Sequence, residues 1–337
     1  MKPAPKKVLI LGGTNFIGPH IVEAARARGH TLTLFNRGKT HAELFPDVEK
    51  LVGDRDGKLE ALKNRSWDVV VDTSGFVPRI VKMSAELLAP SVGHYIFIST
   101  ISVYAKHDVA NADESAPLET MDDPTNEEVP KHYGALKALS EKAAEAAMPG
   151  RVATIRPGLI VGPLDPTGRF THWPARLSEG NEVLCPGDGT TPVQIIDARD
   201  LAAWVAKVIE DKTIGTYNAL GPAQRMTMKQ MIDGCNAAGG NKGKPVWVDA
   251  AFLEKEAVEP WSEMPAWIDA KGEWAGFGTM ANARAVQAGL TFRPIADTAK
   301  DTLGWLATLP DDERAKKRSS AIKPDKEAKV LAAWKAR

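Results

Sequence analysis

Tyr133 and Lys137 stand four residues apart in the stretch Tyr133-Gly134-Ala135-Leu136-Lys137. On a helix that spacing projects a phenol and an ammonium from one face. A phenol, with a pKa near 10, is a poor base at neutral pH, and a neighbouring cation stabilises its ionised form. Such a pair can exchange a proton with a substrate hydroxyl while hydride passes between the same carbon and a nicotinamide. A third group has to hold the substrate oxygen. The stretch Phe97-Ile98-Ser99-Thr100-Ile101-Ser102-Val103-Tyr104 supplies three hydroxyls, of which Thr100 is the candidate, Ser102 its neighbour, and Ser99, with Tyr133 and Lys137, a candidate cofactor contact as well. By itself a Tyr and a Lys at this spacing is a weak pattern. It gains weight from a glycine-rich turn upstream.

That turn is Gly12-Gly13-Thr14-Asn15-Phe16-Ile17-Gly18. Between a strand and a helix, such a turn lets backbone N–H groups and the helix dipole meet a pyrophosphate. Gly12, Thr14, Asn15, Phe16, Ile17 and Gly18 are therefore candidate dinucleotide contacts. Asn15 replaces the usual middle glycine, and Asn tolerates left-handed backbone angles. After the second strand the chain reads Asn36-Arg37-Gly38-Lys39, with no carboxylate to engage a ribose hydroxyl. Arginine suits phosphate recognition, so Asn36, Arg37 and Lys39 favour NADP(H), with NAD(H) as the alternative. Asp54 and Arg55, after the third strand, are candidates to reach the adenine. Ser74, following the next strand, is a further candidate on the cofactor side.

The elements around these residues read as a parallel sheet. Short apolar runs at 8–11, 31–36, 49–52, 68–72, 94–99 and 152–156 read as strands, and 16–28 and 133–147 as helices. Strands alternating with helices predict a doubly wound α/β domain of the Rossmann type, whose ligands sit at the carboxyl edge of the sheet. Beyond Pro157 the alternation fades. The expected division is a dinucleotide-binding domain over 1–162, a smaller mixed substrate region over 163–310, and a charged tail with a terminal helix over 311–337.

Bulk properties exclude several classes. The 337 residues carry 43 basic and 43 acidic side chains, so nothing electrostatic draws this chain to nucleic acid or an anionic membrane. Cys185 and Cys235 sit in no CxxC pattern, and the seven histidines have no ligand spacing, so no metal site is expected. No apolar run is long enough to span a bilayer, and residues 1–7 lack the apolar core of a signal peptide. A cytoplasmic small-molecule enzyme is the expectation.

Together these motifs resemble the extended and atypical short-chain dehydrogenase/reductases, the NAD-dependent epimerase/dehydratase family. The resemblance also draws on Arg156-Pro157-Gly158…Val161-Gly162-Pro163, on Gly187-Asp188-Gly189 and on Asp197…Asp200-Leu201-Ala202. It implies that Thr100 is the catalytic hydroxyl, that Lys137 also binds the nicotinamide ribose, and that Pro157, Gly158, Leu159 and Ile160 lie against the nicotinamide. It implies an epimerase or oxidoreductase acting on a secondary hydroxyl or ketone of a sugar-like small molecule, and a homodimer. An NADPH-dependent carbonyl reductase is the alternative. The glycine turn and the segment after the second strand are also similar to a branch that includes chloroplast stem-loop RNA-binding proteins, so RNA binding on the same fold stays open.

Two departures narrow the reading. Ile101-Ser102 stands where sugar-nucleotide dehydratases carry Asp-Glu, and Gly189-Thr190-Thr191-Pro192-Val193-Gln194 lacks the arginine that commonly clamps a diphosphate. Ser102, Asp165, Arg169 and Trp173 are the candidate substrate contacts, because charged groups take hydroxyls while an indole stacks on C–H faces. Trp261, Trp267 and Trp274 are read as packing residues.

Overall fold

A computed structural model describes residues 4–317 and 321–337. Residues 1–3 of the expected first domain and 318–320 of the expected tail lie outside the described residues. The first half runs β1 (Lys7–Leu11), α1 (Ile17–Ala27), β2 (Thr31–Asn36), β3 (Glu49–Val52), β4 (Trp67–Asp72), α2 (Pro78–Leu88), β5 (Val92–Ile98), α3 (Val129–Ala147) and β6 (Val152–Pro157). Then follow β7 (Leu159–Val161), α4 (His172–Ser178), β8 (Asn181–Pro186), β9 (Pro192–Asp197), α5 (Ala198–Asp211), β10 (Gly215–Ala219), β11 (Gly221–Thr227) and α6 (Met228–Ala238). The chain ends with β12 (Gly243–Val248), α7 (Ala250–Lys255), α8 (Ala283–Gln287), α9 (Ile295–Thr308), α10 (Asp311–Lys317) and α11 (Pro324–Lys335).

Seven strands form one parallel sheet in the order β3-β2-β1-β4-β5-β6-β10. The order reverses between β1 and β4, and the crevice at that switch point is where an open α/β sheet binds its ligand. Continuous apolar runs make these strands because both faces are covered. In β1, Val8 and Ile10 pack with Ile21 of α1 and Leu201 and Val205 of α5. Leu9 and Leu11 face the other way, toward Val81 and Ala85 of α2 and Ala144 of α3. Each such side chain contributes roughly 1.5–3 kcal/mol by leaving water. Truncating Leu9 to alanine at the sheet centre costs about 2–5 kcal/mol, cavity included.

The chain returns to this sheet late. Helix α5 covers its α1 face and β10 adds its last strand, so the parallel-sheet body draws on residues well past 162. The remainder builds a three-stranded sheet, β11-β9-β7, and a parallel pair, β12-β8. A second core fills this part, with Phe170, Trp173, Leu177, Met228, Met231 and Trp267 among its buried members. The terminal helix α11 docks on it through Val330 and Leu331. Glu327 on α11 accepts hydrogen bonds from Arg176 Nε at 2.9 Å and from the Leu184 N–H at 3.0 Å. Among the described residues no helix is long and apolar enough to cross a membrane.

Candidate functional site

The glycine turn leaves β1 with Gly12 at φ +109° and Gly13 at φ +92°, angles that favour glycine. A Cβ on Gly12 would stand 2.4 Å from Thr73 Oγ1, and one on Gly18 would stand 2.6 Å from the Gly13 carbonyl carbon. These contacts seat the first helix close against the turn. The left-handed residue after the glycines is Phe16, at φ +46°, and not Asn15 as the sequence suggested. Asn15 instead accepts the Gly18 N–H through its carbonyl at 2.9 Å. Asn36 also has a bracing role: its Nδ2 donates to the Gly12 carbonyl at 3.0 Å, and its Oδ1 accepts the Gly38 N–H at 2.9 Å.

A crevice of about 590 Å³ opens over the carboxyl edge of the sheet. Arg37, Lys39 and Thr40 line one part of it, the turn from Gly12 to Ile17 lines its length, and Ser99, Tyr133, Lys137 and Ile160 line the rest. Arg37 and Lys39 are exposed and make no ion pair among the described residues. Asp54 and Ser74 also line the crevice. Arg55 is otherwise engaged than expected: its guanidinium is buried and donates to both oxygens of Asp72, at 2.7 and 2.8 Å, and to Ser84 Oγ at 2.7 Å. It therefore forms floor under the crevice and is not free to recognise a base. Sequence reasoning missed Thr73, Phe76, Ile80 and Ile98, which line the same space. Phe76, an aromatic side chain 45% exposed, is the kind of signal that only coordinates can supply.

Where β5 ends against α3 the Tyr133 phenol hydrogen-bonds Thr100; Tyr133 and Lys137 line the crevice, and Thr100, buried beside it, does not. Gly134 makes this approach feasible, since a Cβ there would lie 2.1 Å from the Ser102 carbonyl oxygen. Thr100 Oγ1 accepts the Ser102 N–H at 3.1 Å and donates to Ser102 Oγ at 3.2 Å. The Tyr133 ring lies 6.5 Å from that of Phe76. Burial pushes the Tyr133 phenol above its ordinary pKa, and a hydrogen bond with Thr100 partly offsets this.

Lys137 is deeper than the pattern implied. Its Nζ donates to the carbonyls of Gly75 at 2.6 Å and Ile98 at 2.7 Å, and lies 4.2 Å from the centre of the Phe97 ring. Desolvation brings its pKa down to about 7, against the pull of Asp72 and Glu141. Lys137 is not among the groups that set the Tyr133 pKa here, so the expected lowering of the phenol is absent from this arrangement.

Glu141, one turn beyond Lys137, ties the neighbourhood together. It accepts Ser99 Oγ at 2.5 Å and a two-pronged contact from Arg156 at 2.9 and 2.6 Å. Arg156 also donates to the Tyr104 hydroxyl at 2.9 Å, which in turn donates to Asn218 Oδ1 at 2.7 Å.

The expected substrate contacts separate. Ser102 is exposed beside Thr100. Asp165 is fully buried and caps its own turn, accepting the Thr167 N–H at 2.7 Å and its hydroxyl at 2.8 Å. Trp173 is a core residue whose indole N–H donates to the Pro265 carbonyl at 2.7 Å. The Arg169 guanidinium stacks 5.5 Å from the Trp261 ring centre and does not line the crevice. Of the four residues expected against the nicotinamide, Ile160 lines the crevice, Pro157 is buried at the end of β6, and Gly158 packs against Leu220. Leu159 faces an adjoining wall with Trp261, Trp274 and Phe277.

Residues 63–219 match the model of the NAD dependent epimerase/dehydratase family. The chloroplast stem-loop binding protein of 41 kDa b from Arabidopsis thaliana is 29% identical over 253 residues, which cover 70% of this chain. The match spans 64% of that relative's length, just under two thirds. The bifunctional pinoresinol-lariciresinol reductase 3 of Thuja plicata is 26% identical over 276 residues, covering 74% of this chain and 84% of that one. Among solved structures, the Bordetella bronchiseptica enzyme WbmH in complex with NAD+ superposes with a TM-score of 0.64 at 18% identity, covering 90% of this chain and 99% of that one. The human epimerase family protein SDR39U1 with NADPH gives a TM-score of 0.59 at 19% identity, covering 88% and 99%. At those identities the structures speak to the fold alone.

Proposed function

We propose, from the match of residues 63–219 to the NAD dependent epimerase/dehydratase family model, an NADP(H)-using oxidoreductase or epimerase acting on a secondary hydroxyl or ketone of a small molecule. The observation that carries this reading is the crevice itself. One continuous space is lined both by the glycine turn and by Tyr133 and Lys137. The residues fit a dinucleotide: the turn has no room for a Cβ at Gly12 or Gly18, and free cations flank the end of β2. Gly12 to Ile17 would hold the pyrophosphate, Arg37 and Lys39 a ribose phosphate, and Ile160 and Lys137 the nicotinamide end. When bound, the nicotinamide supplies a two-electron hydride donor or acceptor.

The chain's own groups handle the proton. Thr100 and Tyr133 offer two hydroxyls to one substrate oxygen, which orients it. The Tyr133 hydroxyl gives its proton to that oxygen in reduction and takes it back in oxidation. Lys137 has two of its three donor positions fixed on backbone carbonyls, so the remaining one is directed by the fold. Glu141 fixes Ser99 and, through it, the end of β5 that presents Thr100.

The test is to denature freshly purified protein, identify any released dinucleotide by mass spectrometry, and compare NADPH oxidation by the wild type and Tyr133→Phe. Tightly held cofactor supports in-place recycling, as an epimerase requires, and reversible binding supports a reductase. Turnover unchanged in Tyr133→Phe contradicts the assignment. RNA binding is a second reading, favoured by the similarity to the stem-loop binding protein. The balance of 43 basic and 43 acidic residues counts against it.

A further inference from the structure

One large apolar side chain of the crevice is left in solvent by the fold. Among the described residues, Phe76 is the only exposed large hydrophobic residue that lines it. Covering such a ring with an apolar face is favourable.

The exposure follows from the residues on either side. Gly75 is buried against the sheet edge: a Cβ there would stand 2.5 Å from Phe97 Cε2, 2.8 Å from Val81 Cγ2 and 2.9 Å from Asp72 Oδ2. Its carbonyl accepts Lys137 Nζ at 2.6 Å. Val77 is buried, with an extended backbone at φ −126° and ψ 127°, and Pro78 then opens α2. Successive side chains of an extended chain point to opposite sides, so burying Val77 turns Phe76 outward. Helix α2 is itself anchored, with Val81, Ala85 and Leu88 in the core. The ring therefore stands on a backbone fixed before and after it.

Its position is the reacting end of the crevice. The ring centre lies 6.5 Å from that of Tyr133, with 38° between the planes, and 5.4 Å from Lys137 Nζ. Two of the three Lys137 donors are taken by the Gly75 and Ile98 carbonyls. A group that accepts the third and also covers the Phe76 ring needs a hydroxyl edge and a C–H face. A ribose has both. A pyrophosphate has no apolar face, and its donors lie along the glycine turn. The substrate oxygen is met by Tyr133 and Thr100 in the hydride-transfer reading, which leaves the Lys137 donor to the dinucleotide.

We propose that Phe76 packs on the nicotinamide ribose that the third Lys137 donor holds, and so fixes the nicotinamide half of the dinucleotide without touching its adenosine half. This rests on the hydride-transfer reading above. The full-length protein is titrated by calorimetry with NADPH and with adenosine 2′,5′-bisphosphate, which keeps the adenosine half and lacks the nicotinamide nucleoside. Phe76→Ala weakens NADPH binding roughly 3- to 10-fold and leaves the bisphosphate within about two-fold. Phe76→Tyr, which keeps the ring face, restores most of the NADPH affinity. Equal weakening of both ligands, no weakening of NADPH, or no rescue by Phe76→Tyr each overturns the inference while leaving the cofactor site intact. A wild type that does not bind NADPH removes both readings.

Discussion

The dinucleotide crevice on the Ile160 side of β7 and the wall of packed rings on its Leu159 side, where Phe277 meets Trp261, Trp274 and His107, are built on opposite principles. The crevice is fixed by polar contacts made within the fold, with Arg55 Nε the one buried guanidinium nitrogen there left without a partner among the described residues. Asp72 accepts Arg55 at 2.7 and 2.8 Å, the Tyr95 hydroxyl at 2.8 Å and the Ser74 N–H at 3.0 Å. Glu141 does the same for Arg156 and Ser99. Buried networks of this kind are rigid because every lost bond leaves an unsatisfied charge. The wall has no such network. Its rings touch through dispersion and weak quadrupole contacts, which many arrangements satisfy nearly as well. The first construction holds polar groups in one geometry, and the second tolerates small rearrangements of its rings.

Removing the Tyr133 hydroxyl attacks the crevice at its chemistry. Tyr133→Phe lowers turnover by about 10²- to 10⁴-fold with NADPH affinity nearly unchanged, measured by steady-state kinetics and direct titration. Breaking the network is a stability effect. Glu141→Ala leaves Arg156 buried and unpaired and costs about 3–5 kcal/mol in denaturant unfolding, whereas removing a ring-wall side chain such as Trp274 costs far less because it is partly exposed.

Lys137 sharpens the contrast through pH. Its folded pKa of about 7 lies below the usual lysine value of 10.5, so between those limits the unfolded chain binds more protons than the folded one. Stability therefore rises with pH across that window as the penalty of burying the ammonium is relieved, and the penalty is complete below pH 7. Lys137→Met removes this dependence. The stability difference between variant and wild type moves toward the variant by roughly 3–4 kcal/mol on going from pH 10 to pH 7. A flat difference means that Lys137 stays charged in the fold.

The crevice was far more legible in sequence than the wall. Strands such as β1, β4 and β5 are buried on both faces over most of their length, so they carry apolar runs such as Val69–Val71 and Tyr95–Ile98 that local pattern reveals. The glycine turn and the Tyr133–Lys137 spacing could be read because helix geometry and positive φ leave few alternatives at those positions. By contrast β7 has three residues, and β11 (GPAQRMT) is glycine- and proline-marked with an exposed middle, so neither carries a periodic signal. Residue type also misled. Trp173 was expected at the cleft and is core, whereas Trp261, Trp267 and Trp274 are packing residues as read, though Trp274 packs at the surface. An indole is equally at home in either place, and for Trp173 the decision rests on the Pro265 carbonyl that accepts its N–H, 92 positions away. Arg55 failed for a similar reason: its partner Asp72 is 17 positions away, a distance no local pattern spans.

The most direct measurement concerns the exposed end of the crevice, where Arg37 and Lys39 flank the place expected for a ribose phosphate. Titrating the purified protein with NADPH and with NADH, following energy transfer from tryptophan to the nicotinamide, needs no knowledge of the substrate. NADPH should bind more tightly than NADH, and Arg37→Ala should bring the two within a few fold of each other, corresponding to loss of roughly 1.5–3 kcal/mol of charge-assisted bonding. Failure to bind either dinucleotide, or a preference untouched by Arg37→Ala, would contradict the placement of the cofactor on which the rest depends.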